Sequence, residues 1–470
     1  MATAPPRNVT ECRVDIPASL KAQLFKHLFP GDYDEHGAVL AAALAWDGDR
    51  VRLLVRHIIL AVEGIDYIAG VRGYRRLRAE FVHRALQFCR DNRLAYLAVH
   101  NHGGTDSVAF SDIDLASHER GYPALLDLMQ GLPVGALVFT NRAAAGDIWW
   151  RIDHRTSVLE VRVIGHTIER LRPAPEHPST GVCDEQFDRQ VRFFGAQGQS
   201  RLARATIGVV GAGGAGSLIV EYLARLGVGT LVVADPDNVE RSNLSRIAGA
   251  IEADTTEFMA VNKTTVAQRV ADAANPNGRF LGIPDSIVRQ SVAEQFRHCD
   301  FMFLAADSAS ARLVFNAIVQ QYYVPGIQVG AKITVQPDTG RLTDVFSVMR
   351  WVLPGFGCLW CSGLISTYRL AWEAKTDRER EDQSYGAEAA NPSVITLNAV
   401  AASHAVNEFL FAFQGLRDHV DQSVGGYMWH HLSQRAMVDE WRQTDSCLEC
   451  RAVEGSRFGR GDGVALPISY

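Results

Sequence analysis

Three groups of residues in this chain have the types and spacings that chemistry requires. The first is the turn Gly211-x-Gly213-x-x-Gly216, with Gly214 inside it, directly after the apolar run ATIGVV. A buried strand, a tight glycine turn and a helix whose first amides face outward make a phosphate-binding element. Asp235 closes the next apolar run, TLVVAD, about 20 residues on, where an acid commonly holds ribose hydroxyls. Alone, these features suggest an NAD-dependent dehydrogenase. The second group is a pair of Cys-x-x-Cys motifs, Cys358/Cys361 and Cys447/Cys450. In a reducing compartment two such pairs read as one tetrahedral zinc site, structural because four thiolates leave no position open to water. The third is His100-x-His102, at the end of the apolar run LAYLAV, followed by Ser111 and Asp114. Strand alternation sends both imidazoles to one side, and the later carboxylate can close the set. Two imidazoles, one carboxylate and water make an open zinc site suited to hydrolysis. The alternative is that the two histidines merely cap loop backbone.

The residues that follow the glycine turn narrow its meaning. They read Asp235-Pro-Asp237-x-Val-Glu-x-Ser-Asn243-Leu-x-Arg246. This segment resembles the ATP-binding segment of the ubiquitin-activating-enzyme superfamily, the ThiF/MoeB-type adenylyltransferases, and keeps every fixed position of their pattern D-x-D-x-V-x-x-S-N-L-x-R. Upstream, Phe187-Asp-Arg189-Gln190 through Gly195 matches the family's entry segment. Downstream, Lys263 lies 12 residues before Asn275-Pro276, and Asp307 precedes Arg312 and Asn316 in the pattern D-x(4)-R-x(3)-N. The likeness covers roughly 186–450. It implies adenylation, in which a carboxylate attacks the α-phosphorus of ATP and pyrophosphate leaves. Charge develops on phosphate oxygens, so cations and Mg²⁺ matter more than a general base. By this resemblance the glycine turn, Asp235 and Asp237 bind ATP, with Asp235 on the ribose. Lys263, Asn243 and Arg246 hold phosphates, Asp307 holds Mg²⁺, and Arg189 comes from the second subunit of a homodimer. Singly, Lys263 and Arg246 would read as solvated charges and Asp307 as a helix cap; in register behind a glycine turn they read as a site.

The histidine group extends upstream to Glu35-His-Gly-Ala38-Val-Leu40-Ala-Ala42. Together the residues resemble the JAMM motif of the JAB/MPN metallopeptidases, E…H-x-H-x(7 or more)-S-x-x-D, with eight residues between His102 and Ser111. Those enzymes cut peptide or isopeptide bonds at the tails of ubiquitin-like proteins. The resemblance implies Glu35 as general base, His100, His102 and Asp114 as ligands of a catalytic zinc, and Ser111 as a stabiliser of the oxyanion. This chain departs from the family in having Gly103 where proline is usual, and alanines at 38 and 42. Glu63 is a second candidate for the base, in surroundings that fit less well.

The elements that must position these residues follow from pattern. After 205, apolar runs alternate with amphipathic helices over 217–225 and 264–274, as in a mainly parallel sheet with helices on both faces. Prolines within 172–181 stop helix and strand alike. The expected organisation is α/β: a JAB/MPN α+β domain over 1–168, a Pro-rich linker over 169–185, and a Rossmann-like adenylation domain carrying the four-cysteine zinc site over 186–470. The charged run 373–382 reads as a mobile loop or exposed helix end. Cys12, Cys89 and Cys299 read as buried or free thiols. A composition 47% hydrophobic and 21% charged suits a soluble globular chain, and a net charge of −6 argues against nucleic acid as the main partner. No apolar run nears the roughly 18 residues of a membrane span. The opening residues lack the basic and apolar regions of a signal peptide, so the expected compartment is the cytoplasm.

Both resemblances point to the same partner, a ubiquitin-like or sulfur-carrier β-grasp protein. One part of the chain would trim its tail or remove it from targets, and the other would activate the exposed carboxylate. The loop 383–392, where conjugating members carry a nucleophilic cysteine, has none. The adenylate would therefore pass to a separate conjugating cysteine protein or to a sulfur donor, with Cys183 a remote alternative. Ubiquitin-like modification, sulfur-carrier activation for cofactor or metabolite biosynthesis, and a non-catalytic docking role for the first domain all remain open at this point.

Overall fold

The run AVLAAALA at 38–45 is apolar without alternation, as a strand covered on both faces must be. In the computed structural model, which describes residues 8–69, 75–175, 184–255, 260–336, 338–375, 392–417 and 420–468, it forms most of strand β2 (Gly37–Asp47). Compactness divides the chain into two units. The first comprises Met1–His177, Gln321–Tyr323 and Arg451–Ala465. The second comprises Pro178–Gln320, Val324–Cys450 and Leu466–Tyr470.

In the first unit β2 stands among β1 (Glu11–Pro17), β3 (Arg50–Leu60), β6 (Ala95–Asn101), β7 (Val134–Phe139), β8 (Ala144–Arg151), β9 (His154–Ile164) and β10 (Glu169–Leu171), with a hairpin of β4 (Tyr67–Ala69) and β5 (Arg75–Leu77) beside them. The order is β1-β3-β2-β6-β7-β8-β9-β10, and β1 also lies parallel to β9, which closes the sheet on itself. The residues at 169–171, placed in the linker by the sequence reading, thus belong to the sheet. Successive residues of β2 serve two cores. Ala38, Leu40 and Ala42 pack with Leu24 and Leu28 of helix α1 (Ala18–Leu28), and Val39, Ala41 and Ala43 pack with Phe81 of α2 (Ala79–Asp91) and Met129 of α3 (Asp112–Met129). Asp15, fully buried, receives a fork from Arg162 at 2.8 Å on each oxygen and a third bond from Arg52 at 3.2 Å. The segment Arg451–Ala465 packs into this unit through Arg56, which donates to the Val453 carbonyl at 3.0 Å and the Ser456 hydroxyl at 2.8 Å.

The second unit is a Rossmann-like α/β fold. Its sheet runs β13 (Arg279–Ile283), β12 (Thr230–Ala234), β11 (Thr206–Val210), β14 (Phe301–Leu304), β15 (Gly326–Val335), β16 (Leu342–Val352), β17 (Val424–His430), β18 (Arg435–Glu440). From β13 to β15 neighbours are parallel; from β15 to β18 they are antiparallel, an extension absent from the sequence reading. The helices are α4 (Asp188–Arg204), broken at Gly195 where φ is +78°, α5 (Gly214–Arg225), α6 (Lys263–Ala274), α7 (Gln290–Phe296), α8 (Ala309–Tyr322), α9 (Thr367–Glu373) and α10 (Ile395–Gln414). Strand order reverses between β11 and β14, the place in such sheets where ligands bind beyond the carboxyl ends of the strands. No helix among the described residues is long and apolar enough to cross a membrane.

Candidate functional site

At that reversal β11 ends in the glycine turn, and each glycine has its own reason. Gly211 has φ +92°, and a Cβ there would lie 3.0 Å from the backbone of Ala305 and Ala306 beyond β14. A Cβ on Gly216 would sit 1.8 Å from the Gly211 carbonyl oxygen, and one on Gly214 would sit 2.3 Å from Asn398 Nδ2. A Cβ on Gly213 would meet nothing within 4 Å. The turn is thus packed tight below and open at Gly213, beside the first amides of α5, the shape of a phosphate cradle.

Asp235, at the end of β12, is fastened to this turn. One oxygen accepts from the Ala212 amide at 2.7 Å and the other from the Asp237 amide at 2.9 Å. Burial raises its pKa above the ordinary carboxylate value, against the opposing charge of Lys263. Lys263 opens α6 with Nζ 2.6 Å from Asp237 and 3.9 Å from Asp235. Asn262 caps that helix on the Thr264 amide at 2.8 Å and donates to the carbonyls of Asp235 and Asp237 at 3.2 and 2.9 Å. Arg246 lies across Gly214, its Cδ 3.6 Å from where a Cβ would stand, and its guanidinium donates to the Ser242 carbonyl at 2.8 Å. Asn243 is buried in the short 3₁₀ turn Arg241–Asn243. Asp307 is exposed just past Ala305 and Ala306, before α8. Arg189 is exposed on α4.

Sequence reasoning passed over three side chains here. Asn398 of α10 covers the turn from far along the chain, and nothing local betrays it. Asn262 carries the ordinary N-cap signal of an asparagine before a helix. Glu373, read as part of a charged run, accepts from the Ala309 and Ser310 amides at 2.6 and 2.9 Å and so caps α8 next to Asp307. The rest of that run beyond 375, the loop 383–392 up to 391, and Cys183 lie outside the described residues.

The four cysteines of the second group meet. Cys358 and Cys447 sulfurs are 3.8 Å apart, and those of Cys361 and Cys450 are 3.9 Å apart. Thiolates on one zinc, at Zn–S of about 2.3 Å in a tetrahedron, stand about 3.8 Å from each other. The donor set therefore fits zinc. Hydrogen bonds from its neighbours, first Cys450, pull the Cys358 thiol down to about 6, while burial and the charge of Cys358 push Cys361 up to about 11. Asn316 is buried and ties the two motifs together: its Oδ1 accepts from the Leu359 amide at 2.9 Å and its Nδ2 donates to Glu449 at 3.2 Å. Cys12, Cys89 and Cys299 are buried outside any disulfide among the described residues, and burial raises Cys89 to about 12.

In the first unit His100 and His102 come from the end of β6, and Asp114 comes from the first turn of α3. His100 Nε2 is 3.1 Å from His102 Nε2 and 3.5 Å from Asp114 Oδ1, and His102 Nε2 is 3.4 Å from Asp114 Oδ2. Nitrogen and oxygen ligands at about 2.05 Å on a tetrahedral zinc stand about 3.3 Å apart, so this set fits as well. Ser111 caps α3 on the Asp114 amide, and its amide and hydroxyl donate to Asp114 Oδ2 at 2.8 and 2.7 Å. Burial opposes charge on Asp114, but bonds from His100, His102 and Ser111 outweigh it and hold its pKa well below the carboxylate range. Glu35 reaches within 3.9 Å of His102 Nε2, and burial raises its pKa. Glu63 is instead paired with Arg75. A cavity of about 390 Å³ opens beside His102, lined by Gly103, Ser107, Val108, Ala109 and Pro173.

A model described as the ThiF family matches residues 187–447. The sulfur carrier protein adenylyltransferase of Thermus thermophilus is 38% identical over 137 residues, 28% of this chain and 49% of that protein. The SAMP-activating enzyme E1 of Haloferax volcanii is 32% identical over 145 residues, 30% of this chain and 52% of that protein. The chain spans about half the length of the curated relatives it matches. The crystal structure of E. coli MccB with succinimide aligns over 57% of this chain and 75% of its own, at 18% identity and a TM-score of 0.45.

Proposed function

This chain belongs to the ThiF family, and from that premise we propose that it adenylates the C-terminal carboxylate of a ubiquitin-like or sulfur-carrier β-grasp protein with ATP. The observation that carries the reading is the open cradle at Gly213, with Asp235, Lys263 and Arg246 converging beside it. Asp235 would take the ribose hydroxyls. Lys263, Asn243 and Arg246 would neutralise the phosphates, and Arg189 of a second subunit would complete the site in a homodimer. A carboxylate oxygen forms the new bond to the α-phosphorus, the bond from that phosphorus to the bridging oxygen breaks, and pyrophosphate carries the charge away. Asp307 would hold the Mg²⁺ that neutralises charge on the phosphates as it develops. The four-cysteine zinc would be structural. The names of the relatives support both a sulfur-carrier partner and a SAMP-type ubiquitin-like one.

We further propose that the first unit is a JAMM-type hydrolase of the JAB/MPN kind acting on the same partner's tail. The convergence of His100, His102 and Asp114, with Glu35 at 3.9 Å, favours this over a docking role. Zinc held by those ligands would supply Lewis acidity that makes water nucleophilic near neutral pH. Glu35 would take the proton from the attacking water and deliver it to the leaving amine, and Ser111 would face the developing oxyanion. Both activities belong to a cytoplasmic setting. The test of the adenylation reading is partner-dependent ATP–pyrophosphate exchange: Asp307→Ala should abolish it, and exchange at the wild-type rate in that variant would sink the assignment.

A further inference from the structure

Glu35 lies just outside β2, where no strand pairing holds it. The backbone ladder between β2 and β6 ends with Gly37 opposite His100. One step further, where residue 36 would face residue 101, the Asn101 side chain takes the place of the main chain. Its Oδ1 accepts from the His36 amide at 2.6 Å, and its Nδ2 donates to the Asp34 carbonyl at 3.4 Å. A carboxamide offers the acceptor and the donor of a peptide unit, so one side chain can grip the backbone on both sides of Glu35. The same residue stands between His100 and His102, and strand alternation turns its side chain away from theirs. On the other flank the Gly37 peptide is fixed by Tyr67, whose hydroxyl accepts from the Gly37 amide at 2.9 Å and donates to its carbonyl at 3.2 Å. The His36 ring is tied to Asp32 at 2.9 Å.

We propose that Asn101 is a positioning residue of the hydrolytic site: it locks the backbone that carries Glu35 to the strand that carries both imidazoles, and so sets the reach of the carboxylate into the His100–His102–Asp114 cluster. The proposal rests on the hydrolase reading above. Asn101 touches neither the reacting water nor the metal. Its amide could not be replaced by serine or threonine, whose hydroxyl is too short to span both 34 and 36.

The experiment uses the full chain loaded with zinc. The variants are Asn101→Ala and, should that fold poorly, Asn101→Ser, with Glu35→Gln as reference. The probe is a sulfur carrier protein carrying a short C-terminal peptide extension. Outer-shell partners of metal sites are typically worth about 10–100-fold, so kcat should fall by that order, with KM within about twofold and the zinc content unchanged. Deuterium exchange at the His36 amide should rise in the same variant, a readout independent of turnover. Wild-type kcat in Asn101→Ala, alongside an inactive Glu35→Gln, overturns this inference and leaves the hydrolase reading standing. Loss of zinc in Asn101→Ala also overturns it, because the residue would then organise ligands rather than the base. Absence of cleavage by the wild-type chain removes the hydrolase reading and this inference with it.

Discussion

A methyl group on Gly213 and one on Gly216 should have opposite consequences, although the two residues share one turn. Gly213 has φ −75° and nothing within 4 Å of its Cβ direction. Alanine fits that backbone, and the loss of unfolded-state freedom should leave stability equal or raised by up to about 1 kcal/mol. At Gly216 the new carbon would lie 1.8 Å from the Gly211 carbonyl oxygen. The turn must open by roughly an ångström, an overpacking that costs on the order of 3 kcal/mol. With an m-value of about 3 kcal/mol/M in urea, that is a midpoint lowered by about 1 M for the second unit. Ligand binding reverses the ranking. The void at Gly213 is where the ATP phosphates are proposed to lie, and the alanine methyl would fill it. The KM for ATP in pyrophosphate exchange should rise at least tenfold, about 1.4 kcal/mol, in a protein that unfolds at the wild-type midpoint. Urea unfolding followed by tryptophan fluorescence, with exchange kinetics on the same preparations, measures both. An unchanged KM for ATP in Gly213→Ala would refute the phosphate placement. A wild-type midpoint in Gly216→Ala would refute the packing argument.

Against a competing chelator that leaves the wild-type chain loaded, Cys358→Ser should lose one zinc equivalent per chain by atomic absorption. With zinc worth on the order of 12 kcal/mol over four ligands, the lost thiolate should weaken binding about a hundredfold. Glu35→Gln should retain the zinc of the His100 site and lower tail cleavage by about 10²–10⁴-fold, and cleavage at the wild-type rate would mean another group is the base. Asp15 gives a pH signature. Burial alone would raise its pKa, but the charge of Arg162 and its bonds hold it below the ordinary 3.8. Its stabilisation is therefore complete above that value and is lost as pH falls through the folded pKa. Asp15→Asn should destabilise the first unit by about 3 kcal/mol, since the buried Arg162 loses the carboxylate that its fork binds. It should also flatten the acid limb of the urea midpoint below about pH 4; an acid limb as steep as wild type would place the titrating group elsewhere.

Much of the second unit was legible from residue order because its signals are local. A strand, a glycine turn and a helix are contiguous, and the ThiF-family match begins where the entry segment does. The helices expected at 217–225 and 264–274 lie within α5 and α6, which begin three residues and one residue earlier. The antiparallel strands β16 to β18 were not legible. β17 begins Val-Gly-Gly, and β18 is exposed along almost all its length, so neither carries the apolar alternation of a half-buried strand. Nor was the capping by Glu373, since a charged run reads as solvated surface until the helix it caps is in place.

Residue types and spacing by themselves determined the chemistry available: a glycine turn with a ribose acid and phosphate cations, four thiols in two pairs, two imidazoles at strand spacing with a carboxylate beyond. Those features are short-range, and the backbone geometry of a strand or turn dictates what they offer. Only the tertiary structure decided which of them meet. Sulfurs about 90 residues apart in the chain stand 3.8 and 3.9 Å from each other, Asn398 lies over a turn nearly two hundred residues upstream, and Asn101 grips residues 34 and 36. Such contacts depend on strand register and helix docking, which the burial of whole faces sets and no local pattern encodes.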